Sequence, residues 1–199
     1  CAAEEEAPRT MSMARALGRV FRYSIKGADI VTVNEELEII KSYVQIQQIR
    51  FNDRFDVKYN FTKDILQYCI PKMILQPLVE NAVFHGLETK RGKGLLCISG
   101  NIDERNNLNL LISDDGVGMD DDTLQRIRER LAKSGHNIRN KPENTSNIGI
   151  INVNNRIKLI YGDEYGIEIN SMQGQGTEVL LMLPAGKEAN SLSAVNQIV

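Results

Sequence analysis

The chain has no tryptophan, only two histidines and three cysteines, and no apolar run near the roughly 18–20 residues that a membrane span needs. Cys1, Cys69 and Cys97 are odd in number and show no CxxC spacing, which argues against a disulfide framework or a zinc site and fits a reducing compartment. An excess of positive charge is also missing. Lysine and arginine number 24 against 26 aspartates and glutamates, so no basic field points to nucleic acid or an anionic membrane surface as the main partner. Any phosphate has to be held by local geometry. The opening Cys-Ala-Ala-Glu-Glu-Glu-Ala-Pro has neither an initiator methionine nor a charged segment followed by an apolar one, so the chain reads as a piece of something longer.

What is present is an ordinary globular composition, 42% hydrophobic and 25% charged over 199 residues, enough for one core and a smaller appendage. Met13, Leu17, Val20, Phe21 and Ile25 recur at helical spacing between Pro8 and Lys26, and Gly27 can end that helix. Thr32-Val33-Asn34-Glu35 is a capping box opening a second helix along Leu37, Ile40 and Val44, which makes an αα-hairpin. Phe55–Phe61 alternates with period two and predicts a strand. Pro77 suits the first turn of a helix that runs to Gly86 with Leu78 and Ala82 inward. Two strands, Leu95–Ile102 and Leu108–Ser113, flank a polar hairpin loop. A helix marked by Leu124, Ile127 and Leu131 precedes the polar stretch 134–147, expected to be mobile. Ile150, Val153, Ile157 and Ile160 mark another helix, and strands Gly166–Ser171 and Thr177–Leu183 close the pattern before a tail expected to be disordered. Helices and mostly antiparallel strands without a βαβ rhythm predict an α+β sandwich, one helical layer on one mixed sheet.

Four segments carry candidate chemistry. Glu80-Asn81 and His85 share a helix, where Asn81 can offer a carbonyl oxygen to a hard cation and Glu80 could orient or deprotonate a nucleophile; a merely solvated polar face is the plain alternative. Asp114-Asp115-Gly116-Val117-Gly118 follows a strand, where glycines let backbone approach a flat ligand and a carboxylate can accept from an amino group; the same residues could make only a turn or a cation loop. Asp120, Asp121 and Asp122 are explained by the dipole of the helix they precede. Ile148-Gly149-Ile150 opens a helix whose free N–H groups could meet phosphates. Gly174-Gln175-Gly176-Thr177 is a tight turn into a strand.

In this order the series resembles the N, G1, G2 and G3 boxes of the histidine-kinase/Hsp90/gyrase/MutL ATPase superfamily. Leu75-Gln76-Pro77-Leu78-Val79-Glu80-Asn81-Ala82, with Phe21-Arg22-Tyr23-Ser24, looks like the LytS/YesM-type subgroup of bacterial sensor histidine kinases, over roughly Arg9 to Pro184. The resemblance implies a Bergerat-type α/β sandwich behind a helical hairpin: 1–53 a remnant of the dimerisation and phosphoacceptor region, 54–184 the ATP-binding catalytic domain, 185–199 a tail. It implies Mg²⁺ on Asn81, a bond from the adenine amino group to Asp114, and a pocket shaped by Gly116, Gly118 and Met119. Thr177, with Gly174 and Gly176, would support the adenine end. The amides around Ile148, Gly149 and Ile150, and His85, would meet phosphates; Glu80 would be catalytic; residues 119–147 would hold a lid. The implied activity is transfer of the ATP γ-phosphoryl to a histidine on a dimerisation helix, for relay to a response regulator, in a homodimer whose full-length form sits in the bacterial membrane with this part in the cytoplasm. The phosphoacceptor would lie upstream of residue 1, since neither His85 nor His136 has its context. Phe84 stands where the N box is commonly basic, and Asn147 where G2 often has glycine. A degenerate kinase acting as a dimerising adaptor is the alternative, and it predicts loss of Asn81, Asp114 or the G1 glycines, all of which are present.

Overall fold

The computed structural model describes residues 2–133 and 148–187. Helix α1 spans Ala2–Ile25, with Pro8 inside it rather than at its start. The alanines and glutamates before Pro8 favour helix, and the proline's missing N–H removes a single backbone bond. A short strand, β1 (Ile30–Thr32), leads to α2 (Val33–Arg50). The capping box forms as predicted: Thr32 Oγ1 accepts the Glu35 N–H at 3.2 Å, and the Glu35 carboxylate accepts the Thr32 N–H at 2.7 Å. Helix α2 buries Val33, Leu37, Ile40 and Val44, and α1 packs on it through Ala16, with Arg19 donating to Ser42 Oγ at 3.1 Å. Leu17, Phe21 and Ile25 on α1 remain exposed, as does Met11.

The remaining strands are β2 (Phe55–Phe61), β3 (Cys69–Pro71), β4 (Gly94–Ile102), β5 (Asn107–Asp114), β6 (Gly166–Met172) and β7 (Gly176–Pro184). Five of them form a sheet ordered β2-β4-β5-β7-β6, parallel only between β2 and β4. Alternation decides its faces. Leu96 and Ile98, Leu108, Leu110 and Ile112, and Val179, Leu181 and Leu183 are buried, whereas Asp56, Lys58, Glu168, Asn170 and Glu178 are exposed. Onto the apolar face pack α3 (Gln76–Asn81), α4 (Asp121–Lys133) and α5 (Ile148–Tyr161), through Leu78 and Val79, Leu124 and Ile127, and Ile150 and Ile157. This is the expected two-layer sandwich. The sequence does not announce β1 and β3, which pair antiparallel: three residues each are too few to show a period.

Helix α3 departs from a plain helix. From Ala82 to Leu87 it widens into a π turn, and the Glu88 N–H reaches back five residues to the Val83 carbonyl at 2.8 Å. Beyond β7, Ala185 donates to the Asn106 carbonyl at 3.2 Å and Gly186 accepts from the Cys69 N–H at 2.7 Å. The polar stretch 134–147, with His136 and Asn147, and residues 188–199 lie outside the described residues. Thr32→Ala, which removes the hydroxyl half of the capping box, should cost about 1 kcal/mol in urea unfolding with the slope unchanged. An unshifted midpoint would mean that tertiary packing alone fixes the start of α2.

Candidate functional site

Two adjacent carboxylates end β5, and the structure gives them different tasks. Asp115 ties the loop to the sheet, accepting the Leu95 N–H at 2.7 Å and pairing with Lys90 at 2.7 Å. Asp114 is 6% exposed and turns inward, accepting the Gly116 N–H at 2.9 Å. Burial pushes its pKa up to about 6, against the pull of the Gly116 N–H; the Asp115 charge adds to the rise, and the Thr177 N–H and Lys90 oppose it.

The loop after Asp114 is pressed against the π turn, backbone to backbone. A Cβ on Gly116 would overlap the carbonyl group of Gly86, and one on Gly86 would overlap the Asp114 carboxylate. The Val117 N–H donates to the Gly86 carbonyl at 3.1 Å and completes the contact. Gly118, at φ +63°, lies equally close to the Met172 carbonyl of the β6–β7 hairpin. A Cβ on Gly174 would point into open space, while its N–H donates to the Val117 carbonyl at 2.7 Å and holds the hairpin there.

Between these elements lies a recess. Its apolar walls are Leu78, Ala82, Ile112, Ile150 and Val179, and its polar groups are Asn81, His85, Asp114 and Thr177, with Gly118 and Met119 at the rim. The polar end has a defined character. Ser171 Oγ donates to the Gly176 carbonyl at 2.8 Å and accepts the Met119 N–H at 2.9 Å. Its single proton is thereby committed, so in its 2.9 Å bond with Thr177 the threonine hydroxyl is the donor. Thr177 therefore faces the recess as an acceptor beside the Asp114 carboxylate, and the pair matches a ligand amino group.

At the other end, Asn81 Nδ2 donates to the Pro77 carbonyl at 2.6 Å, which leaves Oδ1 as its free atom. Gly149 brings the first turn of α5 against it: a Cβ there would stand 3.4 Å from Asn81 Nδ2. Of Ile148, Gly149 and Ile150, only Ile150 lines the recess itself. Glu80 does not line it. Its carboxylate accepts from Gln76 Nε2 at 2.9 Å, and its charge helps raise the hydroxyl pKa of Tyr43 on α2 beyond its ordinary range, after burial as the chief cause. Phe84 packs edge-on against Phe51 at 6.4 Å, with the Arg50 guanidinium 5.4 Å above its ring. Asp120 caps α4, accepting the Thr123 N–H at 2.7 Å. No cluster of three or more His, Cys, Asp or Glu suited to a metal occurs among the described residues.

Gly86 and Ser171 are site residues that sequence reasoning missed. Gly86 reads along the chain as a helix stop, although the DxGxG loop needs a Cβ-free partner; Ser171 is visible only once β6 and β7 are paired opposite Thr177.

Comparison with known proteins bears on what fills this recess. Residues 1–55 match the histidine kinase family model, and residues 70–187 match that of the histidine kinase-, DNA gyrase B-, and HSP90-like ATPases. The sensor histidine kinase YpdA of Escherichia coli is 34% identical over 170 residues, 84% of this chain and 27% of that protein. The sensor protein kinase HptS of Staphylococcus aureus is 32% identical over 177 residues, 88% of this chain and 32% of that protein. The chain thus spans about a third or less of these relatives. In fold it is similar to the histidine kinase domain of a blue-light activated kinase from Erythrobacter litoralis, with TM-score 0.55 and 16% identity over 93% of this chain and 78% of that one. It is also similar to the catalytic domain of histidine kinase ThkA, with TM-score 0.53 and 15% identity over 79% of this chain and 95% of that one. With the ATPase family model covering more than half of its residues, the chain belongs to the histidine kinase-, DNA gyrase B- and HSP90-like ATPases, and over most of its length it is similar to sensor histidine kinases.

Proposed function

We propose that the recess holds ATP with Mg²⁺, and that the full-length protein passes the γ-phosphoryl to a histidine on a dimerisation helix for relay to a response regulator. The observation that carries the reading is the acceptor pair at the closed end, Asp114 and Thr177, set opposite the free Asn81 Oδ1 and the first turn of α5. Asp114 accepts from the adenine amino group, Thr177 supports it, and the apolar walls sandwich the ring. Gly116, Gly176 and Gly174 shape the backbone around that end, and Gly118 with Met119 covers it. The amides of Ile148, Gly149 and Ile150 face the phosphates, where the N-terminal dipole of α5 favours negative charge, and His85 adds a donor. One neutral oxygen, with no acidic cluster among the described residues, fits a cation that keeps waters and substrate phosphates as its other ligands. Mg²⁺ bound there supplies neutralisation of charge on the phosphates. Glu80, which does not line the recess, would act on an acceptor arriving from another helix rather than on the nucleotide.

Partners follow from the same reading. The exposed Met11, Leu17, Phe21 and Ile25 on α1 support a homodimer through this helix. No helix among the described residues is long and apolar enough to cross a membrane, so membrane attachment would come through other parts of a longer protein with this domain on the cytoplasmic side.

Titration with ATP, with and without Mg²⁺, tests the reading: saturable binding is expected, weakened at least ~10-fold by Asn81→Ala and nearly abolished by Asp114→Ala, since each removes a hydrogen-bonding or metal-ligating group. A folded wild-type chain that binds no ATP would overturn it.

The raised pKa of Asp114 has a definite sign. Its contribution to stability is full below the unfolded value of 3.8 and is lost as pH rises through about 6. Relative to Asp114→Asn, the ligand-free chain should therefore lose about 2 kcal/mol between pH 4 and 7, read from denaturant unfolding at each pH. Adenosine, which has no titrating phosphate, should bind more tightly at pH 7 than at pH 5. Parallel stability curves for the two proteins would show that folding does not shift the Asp114 pKa.

A further inference from the structure

One buried charge lies outside the recess and has no part in the nucleotide chemistry above. Glu36, in the first turn of α2, is 1% exposed. Its Oε1 accepts the Tyr23 hydroxyl at 2.5 Å and the Met73 N–H at 2.6 Å, and its Oε2 accepts the Leu75 N–H at 3.3 Å. A carboxylate removed from water is costly unless both oxygens are satisfied, and here the donors are all intramolecular. They arrive from two directions. Tyr23 belongs to the last turn of α1, whereas Met73 and Leu75 belong to the segment between β3 and α3.

Leu75 is the residue before α3, and its own side chain cannot cap the helix. Glu36 takes that role from a neighbouring helix, placing a negative charge at the positive end of the helix that carries Asn81 and His85. The same bonds hold Met73 at φ +60°, a conformation uncommon outside glycine. Lys72, next to it, donates to the Lys26 carbonyl at 2.6 Å and stands 4.7 Å from the centre of the Tyr23 ring. The Lys72 carbonyl in turn accepts from Arg156 of α5 at 2.5 Å. Residues 72–75 thus join the end of α1 to the two helices that bring Asn81 and Gly149 together.

We propose that Glu36 is a positioning residue for the ATP site: by capping α3 and accepting the Tyr23 hydroxyl, it makes the placement of Asn81 depend on how α1 sits. The inference rests on the nucleotide-binding reading above. A carboxylate accepts on both oxygens, but an amide places a donor at one of them. Glu36→Gln therefore sets an N–H against either the Leu75 N–H or the Tyr23 and Met73 pair. The start of α3 then samples several positions, and apparent affinity falls with the fraction that is competent.

Mg-ATP affinity, measured by calorimetry on protein shown to be folded, should fall ~10-fold in Glu36→Gln and ~3-fold in Tyr23→Phe, which releases only α1. Their double mutant should bind no more weakly than Glu36→Gln alone, because the two act through one contact. Ile40→Val, in the core face of the same helix, should lose stability and keep wild-type affinity, separating loss of stability from loss of placement. Reciprocally, ATP should slow amide exchange at Met73 and Leu75 more in wild type than in Tyr23→Phe. Wild-type affinity in folded Glu36→Gln would reduce Glu36 to a structural residue and overturn the inference. If that variant does not fold, unchanged affinity in Tyr23→Phe overturns it equally. Failure of the wild type itself to bind ATP would be seen first and would remove the nucleotide-site reading along with it.

Discussion

The site depends on one close contact, in which the backbone of the π turn at Gly86 lies directly against Gly116 and the Asp114 carboxylate. No side chain can be placed between them, so the end of β5 and the end of the α3 helix are held at a fixed separation. The recess is what remains on either side of that contact. Because Asp114 is sealed there, its charge carries a desolvation cost in the ligand-free chain that a hydrogen-bonding ligand would relieve. A π turn provides the geometry, a rare form of helix that is frequent at functional sites.

What could be read from the sequence was local. Thr32 and Glu35 are three residues apart and form their box without help from the rest of the fold. The strands were legible because Leu108, Leu110 and Ile112 alternate along one stretch of chain. The DxGxG loop and the glycines before Thr177 stood out for the same reason, though the local pattern alone does not show how Asp114 and Asp115 differ in structure. Only the sheet edge does that, by offering the Leu95 N–H to one of them.

The rest was not legible because it consists of pairings between distant residues. A π turn leaves no periodic trace in six residues, and Ser171 becomes part of the site only through the register of β6 with β7. Glu80 stands beside Asn81 in sequence, yet successive side chains on a helix diverge, and it does not line the recess. Glu36 looked like one more acidic residue in a helix's first turn, yet it is among the most buried charged groups described.

The commitment of the Ser171 proton to the Gly176 carbonyl has a consequence for selectivity. With Thr177 turned into an acceptor and Asp114 beside it, the closed end of the recess presents oxygen lone pairs and no side-chain donor. A purine bearing a carbonyl in place of the amino group, as guanine does, would set oxygen against oxygen there. Discrimination between the two bases then comes less from attraction to the right one than from repulsion of the wrong one, and it is decided by a serine one strand away from the ligand.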